Sequence, residues 1–206
     1  IRGQRRSFVH FAAKQAARLE LIAKSGKALV GYDPALTICY RDEYTQMLGD
    51  RRGEFDVKLP EEWLNEQFGT KTFVERFAKI KDKVEQAART SEFKDPYFLF
   101  THCTERALIT QSPVLWQTLM QHFFINVIPE TVACCGMAGL FGHIAKNHDE
   151  TYAVYEKNWK GKIKSHDFKH CLITGFSCRS QVHRMEGKEA VHPLFVLNDL
   201  LNKALK

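Results

Sequence analysis

The 206-residue sequence lacks any apolar run near the roughly 18–20 residues a bilayer span requires, so no transmembrane segment is expected. A secretory leader is missing as well. Residues 1–6 are basic, but the stretch after them is amphipathic and interrupted by His10, Lys14 and Gln15. No Met opens the chain, and Ile1 is expected of a piece of a longer gene product. No G-x-G-x-x-G follows an expected strand, so FAD or a nicotinamide is expected to be held elsewhere. No Ser-His-Asp or paired-carboxylate constellation stands out either. Clustered basic charge is also missing, although the net charge is +6. Arg5 and Arg6 stand at the start, the stretch 79–83 is broken by Asp82, and 157–169 is broken by Ser165, His166 and Asp167. A nucleic-acid surface gathers its Lys and Arg on one stripe, so solvated helix faces and no nucleic-acid partner are expected.

What is present is ordinary globular composition, 44% hydrophobic and 26% charged. Apolar residues at helical spacing predict helices over 7–24, 36–48, 61–68, 72–90 and 113–124. Further helices are expected over 178–185, 193–205 and most of 140–159. Short apolar runs predict strands at 28–32, 97–101, 126–128 and 170–174. Residues 50–60, polar and carrying Gly53, read as a linker. Strands alternating with amphipathic helices define an α/β class with a parallel sheet flanked by helices.

The six cysteines are Cys39, Cys103, Cys134, Cys135, Cys171 and Cys178. A chain this long does not need disulfide staples, and no leader directs it to an oxidising compartment, so reduced thiols in the cytoplasm are expected. Cys39 and Cys171 fall within regular elements and read as small hydrophobes. Cys103, the Cys134-Cys135 pair and Cys178 each follow an expected strand. In an open parallel sheet the loops after the strands share one crevice, so four sulfurs are expected to converge there. Four thiolates suit an iron–sulfur cluster or a structural zinc. Gly136 and Gly139 allow the tight turn around the pair and a close backbone approach to a ligand. That turn is expected to run into a helix N-terminus. His102 and His143 are candidates for supporting the ligands from behind.

Residues 134–143, CCGMAGLFGH, resemble the "CCG" cysteine-rich domain. That domain occurs in heterodisulfide reductase, in anaerobic glycerol-3-phosphate dehydrogenase, and in glycolate and lactate oxidation proteins. Residues 174–184, TGFSCRSQVHR, with His192-Pro193-Leu194 behind them, are similar to the tail of large bacterial fused proteins. Those proteins join an FAD-linked oxidase, a ferredoxin-type segment and a cysteine-rich part, and are of the D-2-hydroxyglutarate or D-lactate dehydrogenase type. The stretch 31–44 resembles the end of a preceding repeat.

The resemblance implies a Rossmann-like cysteine-rich repeat. It divides the chain into 1–50 as the tail of a preceding repeat, 51–91 as a helical linker and 92–206 as a complete repeat. It implies a 4Fe–4S cluster on Cys103, Cys134, Cys135 and Cys178 beside Gly136 and Gly139, with FAD in a part of the protein outside this chain. The implied partners are the flavin and ferredoxin-type domains of the same polypeptide and an electron acceptor. The implied location is the cytoplasm, with peripheral attachment to the inner membrane as a variant. Two departures stand against it: Leu36 and Gly175 occupy positions where the family carries cysteine. The alternative is a structural or interaction domain that has lost its cluster, or a zinc site.

Overall fold

The computed structural model of the protein describes residues 4–206. Helix α1 (Arg5–Lys24) buries Ala12, Ala16 and Leu19 at helical spacing and is followed by Gly26 at φ +80°. Strand β1 (Leu29–Val30) precedes α2 (Pro34–Arg41) and α3 (Glu43–Leu48). The apolar spacing predicts a single helix over 36–48. Its start moves back to Pro34 because the Asp33 carboxylate caps the Leu36 N–H at 3.1 Å, with proline at the first helical position. Strand β2 (Val57–Lys58) lies inside the polar stretch that reads as a linker and pairs in parallel with β1, Leu29 opposite Val57. Two residues are too few to show an alternating pattern.

Helices α4 (Pro60–Phe68), α5 (Lys71–Ala78) and α6 (Lys81–Ala88) follow. The last two stand where the spacing predicts one helix over 72–90. Phe77, Ile80 and Val84 keep helical spacing across the break, and all pack on the same core, so the apolar pattern hides it.

The α/β class holds. Strands β3 (Tyr97–Phe100), β4 (Val127–Glu130) and β5 (Cys171–Ile173) form one parallel sheet in the order β4-β3-β5. Helix α7 (Cys103–Leu108), which the pattern does not reveal, and α8 (Ser112–His122) cross from β3 to β4. The connection from β4 to β5 is broken into short pieces. Two 3-10 turns (Phe141–His143 and Ala145–Asn147) lead into α9 (His148–Tyr155). A π-helical turn (Glu156–Lys160) and α10 (Gly161–Lys164) follow. Helices α11 (Phe176–Glu186) and α12 (Pro193–Ala204) close the fold. Among the described residues no helix is long and apolar enough to cross a membrane.

Both faces of the sheet are covered, with the period of two that a strand imposes. Tyr97, Leu99 and Leu172 pack on one side with Trp116, Leu119, Met120, Leu197 and Leu200. Phe100, Cys171 and Ile173 pack on the other with Tyr155, Trp159, Ile163 and Val182. Truncating a buried tryptophan such as Trp116 or Trp159 to alanine costs about 3–5 kcal/mol in such cores.

A buried polar cluster joins α4, α7, α8 and the end of β5. The Ser112 hydroxyl lies in hydrogen-bond contact with Glu61 Oε1 and with Glu105 Oε1, and both carboxyls are fully buried. Glu105 also accepts from the Thr174 hydroxyl and from the His102 N–H. One hydroxyl carries one hydrogen, so Ser112 donates to one carboxyl and accepts from the other, and one of the two acids is protonated. Burial is the leading reason that both are held above the ordinary carboxylate range.

A carboxyl raised in the folded state contributes stability below its unfolded pKa and loses it as pH rises toward the folded value. Urea unfolding of the parent and of Glu61→Gln from pH 4.5 upward therefore has a set outcome. The variant gains on the parent as pH rises; parallel curves would mean that the pair carries no extra proton.

Candidate functional site

Three loops leave the C-terminal ends of β3, β4 and β5. Cys103 opens α7 directly after β3, with His102 as its N-cap. Cys134 and Cys135 lie in the loop after β4, and Cys178 lies in the first turn of α11, after β5. Their thiols are near enough to perturb one another's protonation in sequence: Cys103 with Cys134, Cys134 with Cys135, and Cys135 with Cys178. Cys103 and Cys134 are half-buried, whereas Cys135 and Cys178 are buried. The other two cysteines do not perturb these four, although Cys171 shares an apolar cluster with Cys135 and Cys178. Cys171 is in the sheet core, where burial pushes its thiol up to about 12. Cys39 is on α2, pushed up to about 11, again chiefly by burial.

These neighbours affect the sulfurs unequally. The Gly136 N–H reaches the Cys134 Sγ at 3.3 Å. The neighbouring thiols of Cys103 and Cys135 and this N–H pull Cys134 well below the ordinary thiol range. Cys103 is pushed up first by the neighbouring Cys134 and then by burial. Cys135 is pushed up by the neighbouring Cys134 and Cys178, then by burial.

The helix N-terminus expected just after the cysteine pair is not there. Residues 131–140 are irregular, and α9 begins only at His148. The donor that the loop supplies to Cys134 is the single backbone N–H of Gly136 instead. Gly136 sits at φ +93°, and a Cβ there would lie 2.5 Å from the Thr151 carbonyl oxygen, so glycine is required twice over. Ala138 (φ +42°) and Gly139 (φ +67°) continue the left-handed path.

This loop is held by residues that the sequence pattern does not reveal. Arg106 on α7 donates to the Val132 carbonyl. Trp159 Nε1 donates to the Ala133 carbonyl at 2.9 Å, and Asn158 Nδ2 to that of Cys134 at 3.1 Å. Both come from the π-helical turn, which places two consecutive side chains against one loop. Thr151 donates to the Gly136 carbonyl at 2.6 Å, and Gln181 on α11 donates back to Thr151.

The two candidate histidines differ. His143 is exposed in its 3-10 turn. His102 is buried, and burial lowers its pKa. Its Nδ1 accepts from the Thr104 N–H at 3.2 Å, and its Nε2 faces the Ser177 hydroxyl at 3.3 Å, so both ring nitrogens are occupied. A Cβ on Gly175 would lie 2.5 Å from His102 Cδ2, so the imidazole fills the space that a side chain at 175 would need.

The donor chemistry is that of a thiophilic centre: four sulfurs from three loops, two half-buried and two buried. Among the described residues, no group of three or more His, Cys, Asp or Glu side chains has the arrangement of a metal shell.

Fold and crevice together define a parallel α/β module with a cysteine-lined mouth. The chain is similar to proteins named D-2-hydroxyglutarate dehydrogenase. It is 37% identical over 201 residues to those of Pantoea ananatis and Escherichia coli, and 38% to that of Haemophilus influenzae. Each alignment covers 98% of this chain, which spans about 18–19% of the relatives' length. No family model and no solved structure matches.

Two outcomes follow for the metal-free chain. Iodoacetamide at pH 5 should label Cys134 first, while Cys39 and Cys171 stay unmodified; labelling led by Cys171 would contradict the burial pattern. Gly175→Ala should cost about 1–3 kcal/mol by displacing the His102 ring. Adding His102→Ala should then cost less than the sum of the two single changes, as measured by urea unfolding in a double-mutant cycle.

Proposed function

We propose that the chain is a cysteine-lined electron-transfer module within a larger FAD-linked dehydrogenase acting on a D-2-hydroxy acid of the D-2-hydroxyglutarate type. The observation that carries this reading is the placement of Cys103, the Cys134-Cys135 pair and Cys178 on three separate loops at the C-terminal edge of one parallel sheet. Support for the substrate class comes from relatives that align over nearly the whole chain. In this reading the flavin lies in the longer polypeptide and an external acceptor takes the electrons. The location is the cytoplasm, with no span through a membrane.

Those four cysteines would hold a 4Fe–4S cluster, which supplies one-electron transfer when bound. The protein's own part is local. Cys134 is poised to bind as thiolate without first losing a proton. The glycine at 136 lets a backbone N–H face the sulfur, and N–H donors to ligand sulfur are among the levers that set a reduction potential. Burial of Cys135 and Cys178 keeps water from that side. The pairwise thiol contacts favour a second reading, a structural domain without a cluster, and a four-thiol zinc site is a third.

Anaerobic purification with iron, sulfide and zinc assays separates the three. The proposal expects iron and sulfide in the parent and in Cys171→Ala, and loss of both in Cys134→Ala and Cys178→Ala. Zinc without sulfide supports the zinc site. A metal-free parent overturns both metal readings.

A further inference from the structure

We infer that the groove between α1 and α2–α3 is a docking face for another segment of the same longer polypeptide, one presenting an apolar surface flanked by carboxylates. The inference rests on the proposed reading of the chain as a module of a larger dehydrogenase. The groove has a volume of about 1320 Å³ and an apolar floor that includes Phe8, Phe11, Leu36 and Met47. Phe11 is 68% exposed and Leu36 54%. Apolar floors of this kind mark interaction sites on soluble proteins.

The rim states the charge of the occupant. Arg5, Lys14 and Arg18 line it, and none of the three forms an ion pair among the described residues. Of the acids on the same rim, Asp33 is engaged by the backbone N–H groups of Leu36 and Phe176, which leaves Glu43. The rim is therefore net positive and fits an acidic flank.

The neighbouring sheet says why the occupant belongs to the same protein. Strands β1 and β2 are two residues each and parallel, and among the described residues they pair only with one another, with Val30 42% exposed. Parallel sheets are normally covered on both faces, and a two-stranded pair has little stability of its own. This end of the molecule is thus an incomplete layer, which needs a permanent cover. A chain about five times longer, as in the relatives, has the material to supply it. One end of the groove reaches Thr104, the neighbour of Cys103, so the covering segment lies beside the sulfur crevice.

The test uses the longer protein with a photoreactive benzoylphenylalanine at position 11 or 36, and at the exposed position 71 as control. Irradiation followed by peptide mapping should give intramolecular crosslinks from 11 and 36 to a peptide outside the 206 residues, and none from 71. Crosslinks joining two copies, crosslinks to a separate protein, or yields no higher than at 71 would overturn the inference. In the same protein, Phe11→Asp combined with Leu36→Asp should speed amide exchange of residues 29–30 and 57–58 at least tenfold; unchanged exchange counts against it. Iron and sulfide content of each preparation reads the sulfur site separately. Crosslinks in a metal-free protein would sink the cluster and spare the docking face, and the converse result would do the reverse.

Discussion

The sulfur crevice depends on one constraint, the register of three parallel strands. Phe98 stands opposite both Ile128 and Cys171, and Phe100 opposite Glu130 and Ile173. With that register, each strand releases its loop at the same edge of the sheet, so Cys103, the Cys134-Cys135 pair and Cys178 need no further coincidence to meet. The buried carboxyl cluster then locks the edge laterally. Thr174, just past β5, bonds Glu105 on α7, and the His102 N–H between them reaches both. A slip of β5 by one residue would exchange Leu172 for its neighbours between the two core faces and would break this lock at the same time.

The crevice combines reactive sulfur with rigid packing, and the two depend on each other. Cys135 and Cys178 belong to the same apolar cluster as Trp159, Tyr155 and Val182. Cys135 is pushed up by its contacts with Cys134 and Cys178 and then by burial, while Cys134 is pulled the other way. The same packing that would serve a plain hydrophobic core therefore sets which sulfur carries charge.

How much of this could be read in the sequence differs by scale. The three-stranded sheet, its helical cover and the place of Cys171 within a strand follow from short apolar runs and helical spacing, because a buried strand or amphipathic helix writes itself in period. The breaks do not: α5 and α6 share one apolar stripe across residues 79–80, and α7 is only six residues long. Strand β2 is shorter than any pattern can mark. Around the cysteines, the glycine at 136 signals a tight turn, and the φ of +93° accords with it. The helix start expected beyond it follows an analogy with glycine turns that lead into helices, which this loop does not obey. The residues that hold the loop, Arg106, Thr151, Asn158, Trp159 and Gln181, act on backbone carbonyls from distant elements. Such contacts leave no local signature. Gly175 is the clearest lesson, since only the position of the His102 ring explains why no side chain fits there.

The π-helical turn at Glu156–Lys160 carries one residue more than a regular helix would place there. Deleting a single residue would let α9 and α10 fuse into one ordinary helix of equal or better intrinsic stability. Every side chain beyond the deletion would then rotate by about 100° around the axis, at 3.6 residues per turn. Ile163 would leave its core position, and the paired donation of Asn158 and Trp159 to the cysteine loop would be lost. The crevice is thus tied to a helical defect, and the geometry of the cysteine loop depends on the residue count of a segment that contains no cysteine.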